Sequence, residues 1–246
     1  MNERGPAVTA AKIPRDAGNW AAQGTDLHLG EVPADAINLN VEGRSVAGPV
    51  QGFGKLWQKT YKVTLAGVDV TPAEVIAAWK AHFPEFWPDK NHFYGNMGGI
   101  NPGDVALINM ALPGRMKLST GILVLYADEE SFTFMTPQGH MLAGWITFSA
   151  HKSGGATVAQ AQVLMRSSDP IYEMGLAFGG HRKEDNFWKH TLTSLAAHFG
   201  VNAQVDMQRA CVDRKRQWRR AGNMKHNAAI RSTMYLLGSP FRRRKA

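Results

Sequence analysis

Alternation of apolar and polar side chains is clear in Lys55–Leu65 (KLWQKTYKVTL). Leu56, Gln58, Thr60, Lys62 and Thr64 share one parity, and Trp57, Tyr61, Val63 and Leu65 share the other. A period of two with one apolar side predicts a half-buried strand. Five further strands are predicted over Val105–Leu112, Met116–Ala127, Ser131–Pro137, Met141–His151 and Ala156–Ser167, with PGR, DEE, QGH and KSGG between them. Connectors this short and this rich in turn formers make hairpins, whereas parallel neighbours need much longer crossovers. The five segments therefore predict an antiparallel meander.

The period changes to that of a helix after two start signals. Thr71-Pro72-Ala73-Glu74 combines a capping hydroxyl, a first-position proline and the glutamate of a capping box, and Val75, Ala78, Trp79 and His82 follow at helical spacing. Asp169-Pro170 is a second cap pair. Beyond Gly179-Gly180, Phe187, Trp188, Leu192, Leu195 and Phe199 form one apolar stripe, and Gly200 stands where a helix would stop. Between the first helix and the meander lies an aromatic loop dense in turn residues, HFPEFWPDKNHFYGNMGGINPGD. Residues 1–48 show neither period and read as an irregular arm. A helix that follows a meander packs on one face of it, because both elements have one side to bury. The fold class expected is α+β, a curved antiparallel sheet around a long C-terminal helix. The expected divisions are an arm over 1–48, a body over 49–201 and a basic, helical tail over 202–246.

Composition changes this picture in one respect. With 44% hydrophobic and 20% charged residues in 246, the chain is ordinary for a soluble domain. The single cysteine, Cys211, allows no internal disulfide and no thiolate metal cluster, in keeping with a reducing compartment. There is no run of about 18 apolar residues, so no transmembrane insertion is expected. The first twenty residues lack the apolar segment of a secretory signal, and a cytoplasmic location is expected. The net charge of +8 is concentrated at one end: from Ala203 onward there are twelve Lys/Arg and two Asp, which leaves the preceding 202 residues at −2. A basic tail with Met207, Cys211 and Trp218 on one apolar stripe and Ile230, Met234 and Leu237 on another suits RNA, DNA or anionic lipid, or is simply solvated.

Few motifs carry chemistry. The chain has no H-E-x-x-H, and His190 and His198, eight residues apart on one helix, lie more than 10 Å apart along its axis. G-x-S-x-G, G-x-x-x-x-G-K-[ST] and G-x-G-x-x-G are also absent. No catalytic residue, metal or cofactor is therefore assigned. The segment FTFMTPQGHMLAGWITFSAH, Phe132–His151, reads as two strands and their hairpin. Cross-strand packing accounts for its residues one by one. A second reading has one face of these strands lining a pocket, an apolar wall with a few hydrogen-bonding groups. The candidate lining is Trp79, Phe134, Met135, Trp145, Thr147, Phe148, Gln160, Gln162 and Trp188, which includes both strand parities, with His140 at the mouth. Glu173 sits in the first turn of a helix, where it favours the dipole, and an Arg166–Glu173 ion pair across the strand–helix corner is a further expectation.

From PVQGFGKLWQKTYKVTL through STGILVLYADEESFTFMTPQGHMLAGWITFSA to SDPIYEMGLAFGGHRKEDNFWKHTL, about residues 49–201, the order and texture of the elements resemble a bacterial branch of the SRPBCC superfamily. These are the START, polyketide-cyclase and pollen-allergen-like helix-grip proteins. The resemblance implies a cavity between sheet and C-terminal helix for an apolar or amphipathic molecule. It transfers no catalytic residue, since the superfamily has no strict catalytic motif. The expected function is binding of a small hydrophobic molecule, as carrier or sensor. The alternatives are a cyclase, hydratase or hydrolase using His140, His151 or Glu173 in the same cavity, and weak binding of an anionic partner through the tail.

Overall fold

The computed structural model describes residues 16–22, 26–30, 32, 36, 38–95, 99–111 and 117–242. Strand β1 (Leu56–Leu65) leads to helix α1 (Pro72–Ala81), a 3-10 turn at Phe83–Phe86 and the short β2 (His92–Tyr94). The meander follows as β3 (Val105–Ala111), β4 (Lys117–Ala127), β5 (Ser131–Met135), β6 (Leu142–Ser153) and β7 (Ala156–Ser167). Helix α2 (Pro170–Gly175) then runs through a kink into α3 (His181–His198), and β8 (Asp206–Asp213), a 3-10 stretch at Trp218–His226 and α4 (Ala228–Arg242) complete the order. One antiparallel sheet has the strand order β2-β3-β4-β5-β6-β7-β1-β8. Among the described residues, no helix is long and apolar enough to cross a membrane.

Both helix starts form as their sequences predict. Glu74 N–H donates to Thr71 Oγ1 at 3.2 Å while Thr71 N–H donates to Glu74 Oε2 at 2.7 Å, a reciprocal capping box. Asp169 Oδ1 accepts from the N–H groups of Ile171 and Tyr172. The passage from α2 to α3 is not a clean helix: over Leu176–Gly180 the backbone widens, and Phe178 and Gly179 leave helical geometry. Gly179 has φ +100°, which a side chain would oppose.

The sheet has one face packed against α1 and α3, called inner below. Tyr61, Val63 and Leu65 of β1, Phe132 and Phe134 of β5, Phe148 of β6 and Ala159, Ala161, Val163 and Met165 of β7 point inward. There they form one core with Val75, Ile76 and Trp79 of α1 and Leu192, Leu195 and Ala196 of α3. This is the helix-grip arrangement expected from the order of elements. The outer face carries a separate small core at its β3–β4 end, where Leu27 and Val41 cover Leu107.

The tail differs from its expected form in one segment. Met207 and Cys211 lie on a strand, β8, and not on a basic helix. The physical reason is the free edge of β1: β8 pairs with it from Leu56↔Asp213 to Lys62↔Asp206 and satisfies its backbone groups. The expected helix with Ile230, Met234 and Leu237 does form, as α4, but those three side chains are exposed, and Ala228 and Ser232 face the body. The Arg166–Glu173 pair is replaced by two bridges to the tail, Arg166 to Asp213 and Glu173 to Arg216 at 3.0 Å. Both groups sit at the corner as expected, and each finds a closer partner in β8 or the turn after it.

Candidate functional site

The inner face of β5 and β6 is an aromatic slab. Phe132 and Phe148 are in register and stack with centroids 4.6 Å apart, and Phe134 lies 5.4 Å from Phe148. Trp79 meets Phe148 edge to face at 5.0 Å from α1, and Trp188 meets it at 5.5 Å from α3. Phe83, Trp87, Phe93 and Phe187 extend the slab toward β2. Edge-to-face contacts of this kind add about 0.5–1.5 kcal/mol each beyond the area they bury.

At the N-terminal end of α3 the slab gives way to charge. Lys59 is fully buried on the inner side of β1, and its Nζ donates to Glu184 Oε2 and Asp185 Oδ1, both at 2.7 Å. Tyr61 Oη donates to the same Asp185 oxygen at 2.7 Å. Trp57 lies edge-on to His181, and the Arg209 guanidinium from β8 sits over the Trp57 ring, 5.4 Å from its centroid. Burial, with Asp185 adding to it, raises the Glu184 carboxyl to about 7 against the pull of Lys59. Burial and the positive charges of Lys59 and Arg209 push His181 down to about 4. Tyr61 is raised by burial and by the Glu184 and Asp185 charges, so it stays a phenol.

This inner space is polar in an unusual sense: its polar atoms are not all used. The indole Nε1 atoms of Trp79 and Trp87, Thr120 Oγ1, His181 Nδ1 and Glu184 Oε1 are buried without a hydrogen-bond partner. All five belong to the inner side. Thr120 stands opposite the core residue Ile108 in the β3–β4 register, Trp79 and Trp87 are core members, Glu184 holds Lys59, and His181 meets the inner-facing Trp57. A buried polar atom without a partner costs about 1–3 kcal/mol, and native interiors hold few of them.

The residues expected to line a pocket divide between the two faces. Trp79, Phe134, Phe148 and Trp188 come together on the inner side. Met135, Trp145, Thr147, Gln160 and Gln162 lie on the outer face, Met135 opposite Trp145 and Thr147 opposite Gln162. Trp145, Thr147 and Gln162 join Gln58 and Leu164 around an open depression of about 140 Å³. Thr133 and Thr147 share a hydroxyl hydrogen bond of 2.9 Å there, and Gln162 Nε2 donates to Thr60 Oγ1 at 3.3 Å. His140 is buried in the β5–β6 hairpin, with Nδ1 3.0 Å from both the N–H and the carbonyl of Leu142, and burial pushes it down to about 4. His151 is exposed.

Lys59, Glu184 and Asp185 escaped the sequence reading. A signal for Lys59 existed: it shares the parity of Trp57, Tyr61, Val63 and Leu65, and a lysine on an apolar parity needs a buried counter-charge. Glu184 and Asp185 look like the solvated first turn of a helix, and only the packing of α3 on β1 shows otherwise.

No protein-family model matches the chain, and no curated protein matches it by sequence. Among solved structures, the di-domain ARO/CYC StfQ from the steffimycin biosynthetic pathway superposes with a TM-score of 0.47 at 12% identity, over 59% of this chain and 51% of that one. The present chain thus spans about half the length of that protein. Ara h 8.0201 gives 0.42 at 12% identity over 58% of this chain and 97% of the other. Major latex-like protein 151 from Panax ginseng gives 0.41 at 13% identity over 59% and 99%.

Proposed function

We propose that the protein holds a small apolar or amphipathic molecule between the inner face of the sheet and α3, as a carrier or sensor. The observation that carries this reading is the set of five unpartnered polar atoms around the aromatic slab. An apolar wall with a few convergent polar groups is the make-up of a small-molecule site. Here the wall supplies donors at Trp79 and Trp87, a hydroxyl at Thr120 and an acceptor at Glu184. The rings pack against one another, so a ligand enters by displacing rings and meets atoms that no side chain pairs. The widened turn at Leu176–Gly180, just before α3, is where that helix would pivot.

The test is native mass spectrometry of freshly purified protein with extraction of any retained small molecule, followed by titration with the neutral dye Nile red. The expected result is saturable binding of one dye per chain, weakened several-fold by T120V, which removes an unpartnered inner hydroxyl, and unchanged by Q162A on the outer face. Absence of any retained molecule together with non-saturable dye uptake would overturn the reading, as would a loss confined to Q162A.

One observation favours an enzymatic second reading. The chemistry needs an inward acid or base with a tuned pKa. Glu184, raised to about 7, meets that description, whereas His151 is exposed and Glu173 is engaged by Ser167 and Arg216. A turnover rate whose pH profile has a limb near 7, lost in E184Q, is the result this reading requires.

A further inference from the structure

A second depression, of about 250 Å³, lies at the seam where the N-terminal arm, the β5–β6 hairpin and the tail meet. Its polar lining is Ser45, Gln51, Gln138, Ser168, Arg220 and Asn223. The seam is built, not incidental. Ala228 N–H donates to Gly139 O at 2.9 Å, and Asn223 Nδ2 donates to the carbonyls of Gln51 and Ser168. Gly139 has φ +90°, and a Cβ there would stand 2.1 Å from the carbonyl oxygen of His226. The hairpin glycine is thus required both by its own turn and by the tail seated on it.

Within this seam Arg220 is uncommitted. Its Nε is buried without a hydrogen-bond partner, and no ion pair among the described residues engages its guanidinium. The surroundings are basic. Arg44 Nη1 contacts His226 Nδ1 at 2.9 Å, and the positive charges of Arg44, Lys225 and Arg231 bear on that imidazole and hold it below its usual range, with burial the larger cause. The acids nearby are already occupied: Asp26 accepts from Ser45 Oγ, and Asp169 accepts from two backbone N–H groups and from Asn227 Nδ2. A cavity that holds an unpaired guanidinium edge, amide side chains and an excess of positive charge is matched by an oxyanion, which accepts from Arg in a forked geometry.

We infer that this seam pocket binds a small oxyanion, a carboxylate or a phosphate group, through the Arg220 guanidinium with the side-chain amides of Gln51 and Gln138 beside it. Binding there would tie the arm, hairpin and tail together, and its occupancy would be read as resistance of the tail to opening. This inference does not depend on what lies between the sheet and α3.

The experiment is thermal unfolding and calorimetric titration of the full chain with inorganic phosphate in one arm and acetate in another, at ionic strength fixed with chloride. A saturable stabilisation of several degrees is expected, equivalent to occupancy well above Kd. The preferred arm identifies the group, phosphate or carboxylate. R220Q should lose at least ten-fold in affinity while R220K retains part of it, and the thermal unfolding of each variant without added anion reports whether it keeps the wild-type fold. The inference is overturned if neither anion binds the wild-type chain saturably, or if a folded R220Q binds as the wild type does.

Discussion

The two faces of the sheet solve the same problem in opposite ways. On the outer face, Thr133, Thr147, Gln162, Thr60 and Gln208 follow one another in register across five strands, and two pairs within that row bond to each other. On the inner face rings dominate, Lys59 and Tyr61 pair with Glu184 and Asp185, and the Trp79 and Trp87 indoles and the Thr120 hydroxyl are buried without partners. Along that row the outer face pairs hydroxyls and amides although water is at hand; the inner face pairs its charges but leaves several neutral polar atoms unpaired where water is excluded. A fold selected for stability alone would do the reverse, since an unmet group costs most where the dielectric is low. That inversion is the feature that the proposed binding between the sheet and α3 would account for.

The contrast is tested most severely by truncation of the slab. Phe148 touches Trp79, Phe83, Phe132, Phe134 and Trp188, so Phe148→Ala should cost about 3–5 kcal/mol in denaturant unfolding. Thr147→Ala, one residue along on the outer face, should cost no more than about 1 kcal/mol. Equal costs would show that the two faces are equally structural.

A pH titration separates the regions next. His140, in the hairpin, falls from the usual 6.5 to about 4 on burial. A depressed folded-state pKa means that its contribution is complete above 6.5 and is lost as pH falls toward 4, by about 3 kcal/mol at 1.36 kcal/mol per unit. Glu184 runs the other way: raised from 4.5 to about 7, its contribution is complete below 4.5 and is lost as pH rises through 7. His181, also held near 4, adds to the acid limb. Stability against pH should therefore show an acid limb reduced in His140→Asn and a decline toward 7 removed in Glu184→Gln. An unchanged acid limb in His140→Asn would place that imidazole in solvent.

Much of the scaffold was legible because its signals are local. The capping box at Thr71–Glu74 and the Asp169-Pro170 pair are written within four residues, and the hairpins within their connectors. What escaped depends on distant partners. Which parity of Phe132–Met135 points inward depends on where α1 and α3 pack, which no alternation in β5 reveals, so the expected lining drew on both faces. β8 is an edge strand with both sides largely exposed and so lacks the one-sided pattern that announces a strand. The Lys59–Glu184–Asp185 cluster spans well over a hundred residues of sequence and appears only when α3 lies on β1.

The finest test uses two threonines that differ only in face. Thr147 on the outer side shares a hydrogen bond with Thr133, and Thr147→Val should destabilise by up to about 1 kcal/mol, because water replaces only part of what is lost. Thr120 on the inner side has a buried hydroxyl without a partner. Thr120→Val removes a polar atom that bonds to nothing and keeps the shape, so it should be neutral or stabilising, by up to about 1–2 kcal/mol. The effects are small, but their signs are opposite, and sign is more robust than size. If the inner atoms are kept unpaired for a ligand, the same Thr120→Val that stabilises the chain should weaken Nile red binding, the expected exchange of function for stability. Destabilisation by Thr120→Val would instead show that the hydroxyl is already satisfied, and the inner face would lose the feature that distinguishes it from an ordinary core.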